Sequence, residues 1–191
     1  MGKAAFPTKL LWIDLEMTGL DPIEDRILEV GVIVTDFSFE ELDSYEAVIK
    51  QPQAVLNRMK KAAWYEWEGT QRVKVGTVYD MAKSNGLLDK IAEGEDEDKV
   101  EKQLIKLVEK NFDKPAVLAG NSIHQDRRFI RQWWPDLEQK LHYRMLDVTS
   151  FKIWMQGSRG QEFQKPDAHR ALEDIRGSIG ELKHYLNRLQ S

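Results

Sequence analysis

Cysteine is absent from this 191-residue chain. That excludes disulfides, thiolate zinc sites, iron–sulfur clusters and cysteine nucleophiles, and it leads one to expect a cytoplasmic setting. Histidine is scarce. His124, His142, His169 and His184 are the four, and none stands in an H-E-x-x-H arrangement, so a zinc peptidase is not expected. No apolar run reaches the ~20 residues needed to cross a bilayer, and no membrane association is expected. Met1 to Leu10 lack a long apolar stretch and a small-residue cleavage site, so no secretory signal is expected; Phe6 stands where myristoylation of Gly2 would want a hydroxyl. There is no P-loop, no G-x-G-x-x-G and no G-x-S-x-G elbow. A basic excess is missing too: 28 Lys and Arg face 32 Asp and Glu, for a net charge of −4. Proteins that grip long nucleic acid without sequence preference usually carry a basic face. A small anionic ligand needs only a few placed groups.

What is present fits one globular domain over residues 1–191, with 41% hydrophobic and 31% charged residues. Lys9–Glu16, Arg26–Asp36 and Tyr45–Lys50 read as strands, close enough in sequence for an antiparallel meander. Pro52–Ala63 is weakly helical, and Trp64–Leu88 resists assignment. The acidic run Glu93–Asp98 reads as a solvated loop or helix start. Lys99–Phe112 places Val100, Leu104, Leu107 and Val108 at helical spacing. Ala116–Ala119 is a strand followed by a Gly120-Asn-Ser turn. His124–Trp134 is a helix stopped by Pro135. Tyr143–Asp147 is a short strand and Val148–Met155 a helix. Gly157–Pro166 is a polar loop, and Ala168–Leu189 a long helix with Asp167 as its N-cap. This order predicts an α/β fold, a mixed sheet with helices.

Two carboxylates, Asp14 and Glu16, share one face of the first strand, roughly 6.5–7 Å apart along the chain. Buried and unpaired they would be costly. Hard oxygen ligands suit Mg²⁺ or Mn²⁺; a strand end emerging into solvent would hydrate them instead. His169 and Asp174 lie five residues apart, about 140° on a helix. They converge only if His169 sits in the first turn, and ordinary surface residues at a helix start are the plain alternative. Asp126 falls in the first turn of its helix, where an acid also compensates the helix dipole. Arg127, Arg128 and Arg131 beside it form either a solvated face or a phosphate contact. Separated acids next to strand ends, with one histidine, suggest a two-metal phosphoryl-transfer site, one ion activating water and the other stabilising the leaving oxygen.

The set Asp14-x-Glu16, Asp126 and His169-x4-Asp174 resembles the 3′→5′ exonucleases known as DEDDh. Within them, Trp12-Ile-Asp-Leu-Glu-Met-Thr-Gly-Leu-Asp-Pro22, Gly120-Asn-Ser-Ile-x-Gln-Asp-Arg-Arg-Phe129 and His142-Tyr-Arg-x-Leu-Asp-Val148 resemble motifs of the oligoribonuclease family. The resemblance implies a ribonuclease H-like fold with a mixed five-stranded sheet flanked by helices. It implies hydrolysis of very short RNA, chiefly diribonucleotides, from the 3′ end to mononucleotides. Asp14, Glu16, Asp126 and Asp174 would bind two divalent ions, Mg²⁺ or Mn²⁺, and His169 would take a proton from the attacking water. Leu20 would wedge against the bases. Ser122, Arg144 and Thr149 would cap the 5′ phosphate. Tyr143 would complete the neighbouring site in a homodimer. The family's base-stacking tryptophan maps to Trp64, with Trp67 as a competitor. The histidine that follows it in the family has no counterpart here before His124, and this stretch is longer than usual.

Three other readings compete. Asp14-Leu-Glu-Met-Thr18 loosely resembles the D-x-D-x-T motif of haloacid dehalogenase-type phosphatases, with Asp14 as a covalent nucleophile. That leaves the stretches at Gly120 and His142 unexplained. A non-catalytic module that kept the fold would show no divalent-ion binding. A DEDDh nuclease for longer substrates would not need the oligoribonuclease-like stretches outside the acids.

Overall fold

The computed structural model describes residues 7–68, 71–164 and 170–190. β1 (Lys9–Met17), β2 (Ile27–Asp36) and β3 (Glu41–Val48) form the expected antiparallel meander. After α1 (Gln53–Met59), β4 (Ala63–Glu68) and β5 (Gln71–Thr77) pair as a separate hairpin. α2 (Val78–Ser84), α3 (Leu87–Ile91) and α4 (Glu97–Asn111) lead to β6 (Ala116–Gly120). α5 (His124–Trp133) and α6 (Pro135–Glu138) precede β7 (Leu141–Asp147), and α7 (Val148–Arg159) and α8 (Ala171–Gln190) close the chain. The main sheet has five strands in the order β3-β2-β1-β6-β7, with β6 parallel to both β1 and β7.

The alternation along β1 and β2 sorts the core into two layers. Leu11, Ile13 and Leu15, with Val30, Val32 and Val34, face Val100 and Leu104 of α4 and Phe129 and Ile130 of α5. Leu10, Trp12 and Ile33 face Val148 of α7 and Ile175, Ile179 and Leu182 of α8. Each such side chain contributes about 1.5–3 kcal/mol on burial. Trp12 also donates its indole N–H to Thr35 Oγ1 at 2.9 Å. A smaller cluster of Leu28, Met59, Val78, Ala82, Leu87 and Ile91 anchors α1, α2 and α3 beneath the hairpin.

Several boundaries differ from expectation. The third strand occupies Glu41–Val48 rather than Tyr45–Lys50. The segment without assignment is the β4–β5 hairpin followed by α2 and α3. Pro135 ends one helix but also opens α6, at the first-turn position where its missing N–H costs nothing. α7 runs to Arg159, into the expected loop, and stops at Gly160 in the left-handed conformation (φ 60°). α8 begins at Ala171 rather than Ala168; Asp167 lies outside the described residues.

Candidate active site

Asp14 and Glu16 leave the sheet on the same face of β1 as Trp12. Across β2 they pair in register with Gly31 and Glu29. Gly31 is small for a reason: a Cβ there would lie 2.8 Å from the Ala171 carbonyl carbon and the Leu172 nitrogen. The start of α8 therefore rests directly on the sheet, and Asp174, one turn further on, meets the two strand acids. One carboxylate oxygen from each of Asp14, Glu16 and Asp174 lies within 4.8 Å of the others. The three side chains are half-buried. This donor set fits a hard divalent cation, since three clustered carboxylates in partial burial call for positive charge.

A clamp fixes the same helix end. The Arg170 guanidinium grips Glu29 through Nε at 3.0 Å and Nη2 at 2.6 Å, and reaches Glu46 at 3.5 Å. Its backbone N–H donates to Asp174 Oδ2 at 3.1 Å. Glu29 is fully buried. Arg170→Ala strands that carboxylate beside Glu16, and breaking a buried pair this way costs about 3–5 kcal/mol. Urea denaturation should show an unfolding free energy lower by that amount. Replacing Glu29 and Arg170 together by methionine should recover most of it.

Asp126 enters from α5 on the other side of β1. β6 ends at Gly120, so the β1 backbone beyond it is free to pair elsewhere; the Leu15 N–H donates to Asp126 Oδ1 at 3.0 Å. Burial holds the Asp126 carboxyl well above the usual carboxylate range, and the charge of Asp14 adds to the shift. Burial likewise raises Glu16, followed by the charges of Asp14, Asp174, Glu29 and Asp126. The folded protein thus holds these protons more tightly than the unfolded chain. Its stability in EDTA should fall as pH rises above the ordinary carboxylate range near about 4, and Mg²⁺ or Mn²⁺ should offset the fall increasingly along the way. Thermal unfolding over that rise in pH checks this. Glu16→Gln should flatten the slope, and an unchanged slope would contradict the assignment.

A cleft of about 590 Å³ opens over the acids, lined by Asp14, Glu16 and Asp174 on one side and by Leu20, Tyr65 and Arg72 on others. Leu20 is 62% exposed on a loop braced by Thr18 Oγ1 donating to Asp25 Oδ1 at 3.0 Å; its carbonyl accepts from Gln125 Nε2 at 2.8 Å. Ser122 adopts a left-handed backbone (φ 48°), held by its N–H donating to Asp147 Oδ1 at 3.0 Å and Thr149 Oγ1 at 2.9 Å. The Ser122 and Thr149 hydroxyls are 3.3 Å apart. Arg144 lies over the Tyr143 ring, at 5.2 Å, on the edge strand β7, where Tyr143 is 72% exposed. Trp64 and Trp67 lie on β4, but their side chains are outside the described ones, as is His169. Of the arginine cluster, Arg127 and Arg131 bind Glu138, at 3.0 and 3.3 Å, and Arg128 binds Gln125, so these groups brace α5. The Glu29–Arg170 clamp was not singled out from sequence, although one acid within the apolar run ILEVGVIV was its signal.

The profile of the RNase_T family, described as exonuclease, matches residues 11–63 and 81–182. Among solved structures, the zinc-bound form of E. coli Exonuclease I with single-stranded DNA superimposes with a TM-score of 0.64 at 16% identity, over 95% of this chain and 41% of that one. Exonuclease I from Methylocaldum szegediense gives 0.59 at 17% identity, over 92% and 40%. The chain thus spans about two fifths of those proteins, and the likeness shows a ribonuclease H-like exonuclease fold. Two proteins named oligoribonuclease match along nearly their whole length. The one from Francisella tularensis is 38% identical over 95% of this chain and 96% of its own. The one from Idiomarina loihiensis is 39% identical over 93% and 92%. Fold and profile define a nuclease of the exonuclease class. Within that class the chain belongs to the oligoribonuclease family.

Proposed function

We propose that this protein is a 3′→5′ exoribonuclease that hydrolyses very short RNA, chiefly diribonucleotides, to nucleoside 5′-monophosphates. The observation that carries the reading is the convergence of Asp14, Glu16 and Asp174 within 4.8 Å in a chain of this family. Asp14, Glu16, Asp126 and Asp174 would hold two divalent ions, Mg²⁺ or Mn²⁺, which when bound activate water and neutralise charge developing on the phosphate. His169 takes the proton from the attacking water as it adds to phosphorus, and the bond to the 3′ oxygen breaks. Leu20 wedges against the bases from its braced loop. Trp64 stacks on a base. The Ser122 and Thr149 hydroxyls, with Arg144, receive the 5′ end and so limit length.

The same reading includes a cytoplasmic homodimer in which Tyr143 reaches the neighbouring site. An exposed Tyr143 on an edge strand, near-neighbour to exposed Met145 on the same strand, supports it. Among the described residues no helix is long and apolar enough to cross a membrane.

A 5′-labelled pentaribonucleotide tests direction and product. Stepwise shortening from the 3′ end, release of 5′-monophosphates and arrest by EDTA are expected. Release of 3′-phosphates, or cleavage in EDTA, would overturn the reading.

A further inference from the structure

The profile match skips residues 64–80, and the structure fills that gap with the β4–β5 hairpin, which forms a wall of the carboxylate cleft. In the hairpin register Tyr65 stands opposite Lys74, which makes Arg72 its diagonal cross-strand neighbour. The Arg72 guanidinium lies 4.3 Å from the centre of the Tyr65 ring, and both side chains line the cleft. Tyr65 remains 40% exposed. Among the described residues lining this cleft, Arg72 is the one cation, set against Asp14, Glu16, Asp21, Asp25 and Asp174.

We propose that Arg72 is a phosphate-binding residue of the cleft, contributed by the hairpin and oriented by Tyr65. The proposal rests on the reading of the cleft as a short-RNA site. An anionic nucleotide entering among five carboxylates is repelled by them, and the hairpin wall supplies a compensating charge. Contact with a ring face restricts the guanidinium without neutralising it, so its N–H donors stay available to an anion. A planar guanidinium offers two parallel donors to phosphate oxygens, which a lysine cannot. The phosphate it meets is the scissile one, which leaves on the nucleoside 5′-monophosphate.

That product makes a test independent of turnover. Uridine 5′-monophosphate and uridine are titrated into the native protein and its variants with Mg²⁺ present. Arg72→Ala should weaken binding of the nucleotide about ten- to a hundredfold, as for loss of a charged hydrogen bond. Uridine binding should be unchanged. The weakening of nucleotide binding by added salt should be smaller in this variant than in the native protein. Arg72→Lys should restore part of the affinity, and Tyr65→Ala should lower it less than Arg72→Ala does. Lys74→Ala removes the same charge from the same strand outside the cleft and should leave nucleotide binding unchanged. Equal losses for nucleotide and nucleoside, or no loss for either, would overturn the assignment. So would native protein that binds the nucleotide no tighter than the nucleoside. Failure of the native protein to cleave a diribonucleotide would fell the exoribonuclease reading alone, since the nucleotide-versus-nucleoside comparison decides Arg72 without turnover.

Discussion

Asp14→Ala should abolish diribonucleotide hydrolysis, a loss of at least about 10³-fold, while the protein stays folded. Removing one carboxylate from a set of ion ligands forfeits several kcal/mol of transition-state charge stabilisation, and about 1.4 kcal/mol is a factor of ten. The fold does not depend on it. Asp14 projects from the end of a strand whose Trp12, Ile13 and Leu15 supply the core contacts. Relief of repulsion among Asp14, Glu16, Asp174 and Asp126 should even raise the unfolding temperature in EDTA, the usual exchange of stability for function. Asp126→Ala and Asp174→Ala should behave alike in activity. Steady-state kinetics and calorimetry on the same samples check both halves, and near-normal turnover by Asp14→Ala would contradict the metal-site reading.

His169→Ala should cost about 10²–10⁴ in turnover, the range for loss of a general base. The loss should fall in kcat with little change in KM, as expected of a base that acts on the attacking water and not on the bound nucleotide. The residue after it, Arg170, is clamped to buried Glu29, so this end of α8 is held in place on the cleft. A pH–rate profile separates a base from a binding group. The native enzyme should lose activity below the pKa of the histidine, and the variant should lose that limb of the profile. A variant with a native profile and a raised KM would assign His169 to binding instead.

Much of this was legible in the sequence, and for identifiable reasons. β1, β2, α4 and β6 carry strong patterns with buried faces, and their placement follows from which residues must leave water. Asp14 and Glu16 were visible because two acids at strand spacing interrupt an apolar run. The hairpin was opaque. Gln71-Arg-Val-Lys-Val-Gly-Thr77 is largely exposed, so no buried face marks it as a strand, and Trp64-Tyr-Glu-Trp67 lacks the strict apolar–polar alternation that would mark one. The left-handed Ser122 was equally hidden, because its conformation depends on Asp147 and Thr149, more than twenty residues away. The clamp at the start of α8 needed the register of β1 on β2, which puts Glu29 beside Glu16 and Gly31 beneath the helix.

The most direct test sets a 5′-labelled diribonucleotide beside an RNA of a few tens of nucleotides, each with Mg²⁺, Mn²⁺ or EDTA. Rapid metal-dependent cleavage of the dinucleotide, with the long RNA barely touched, is the expected result. Equal or faster trimming of the long RNA would contradict a cleft closed to long chains and point to the β4–β5 hairpin as the segment that opened it. Cleavage of neither would contradict the exoribonuclease reading itself.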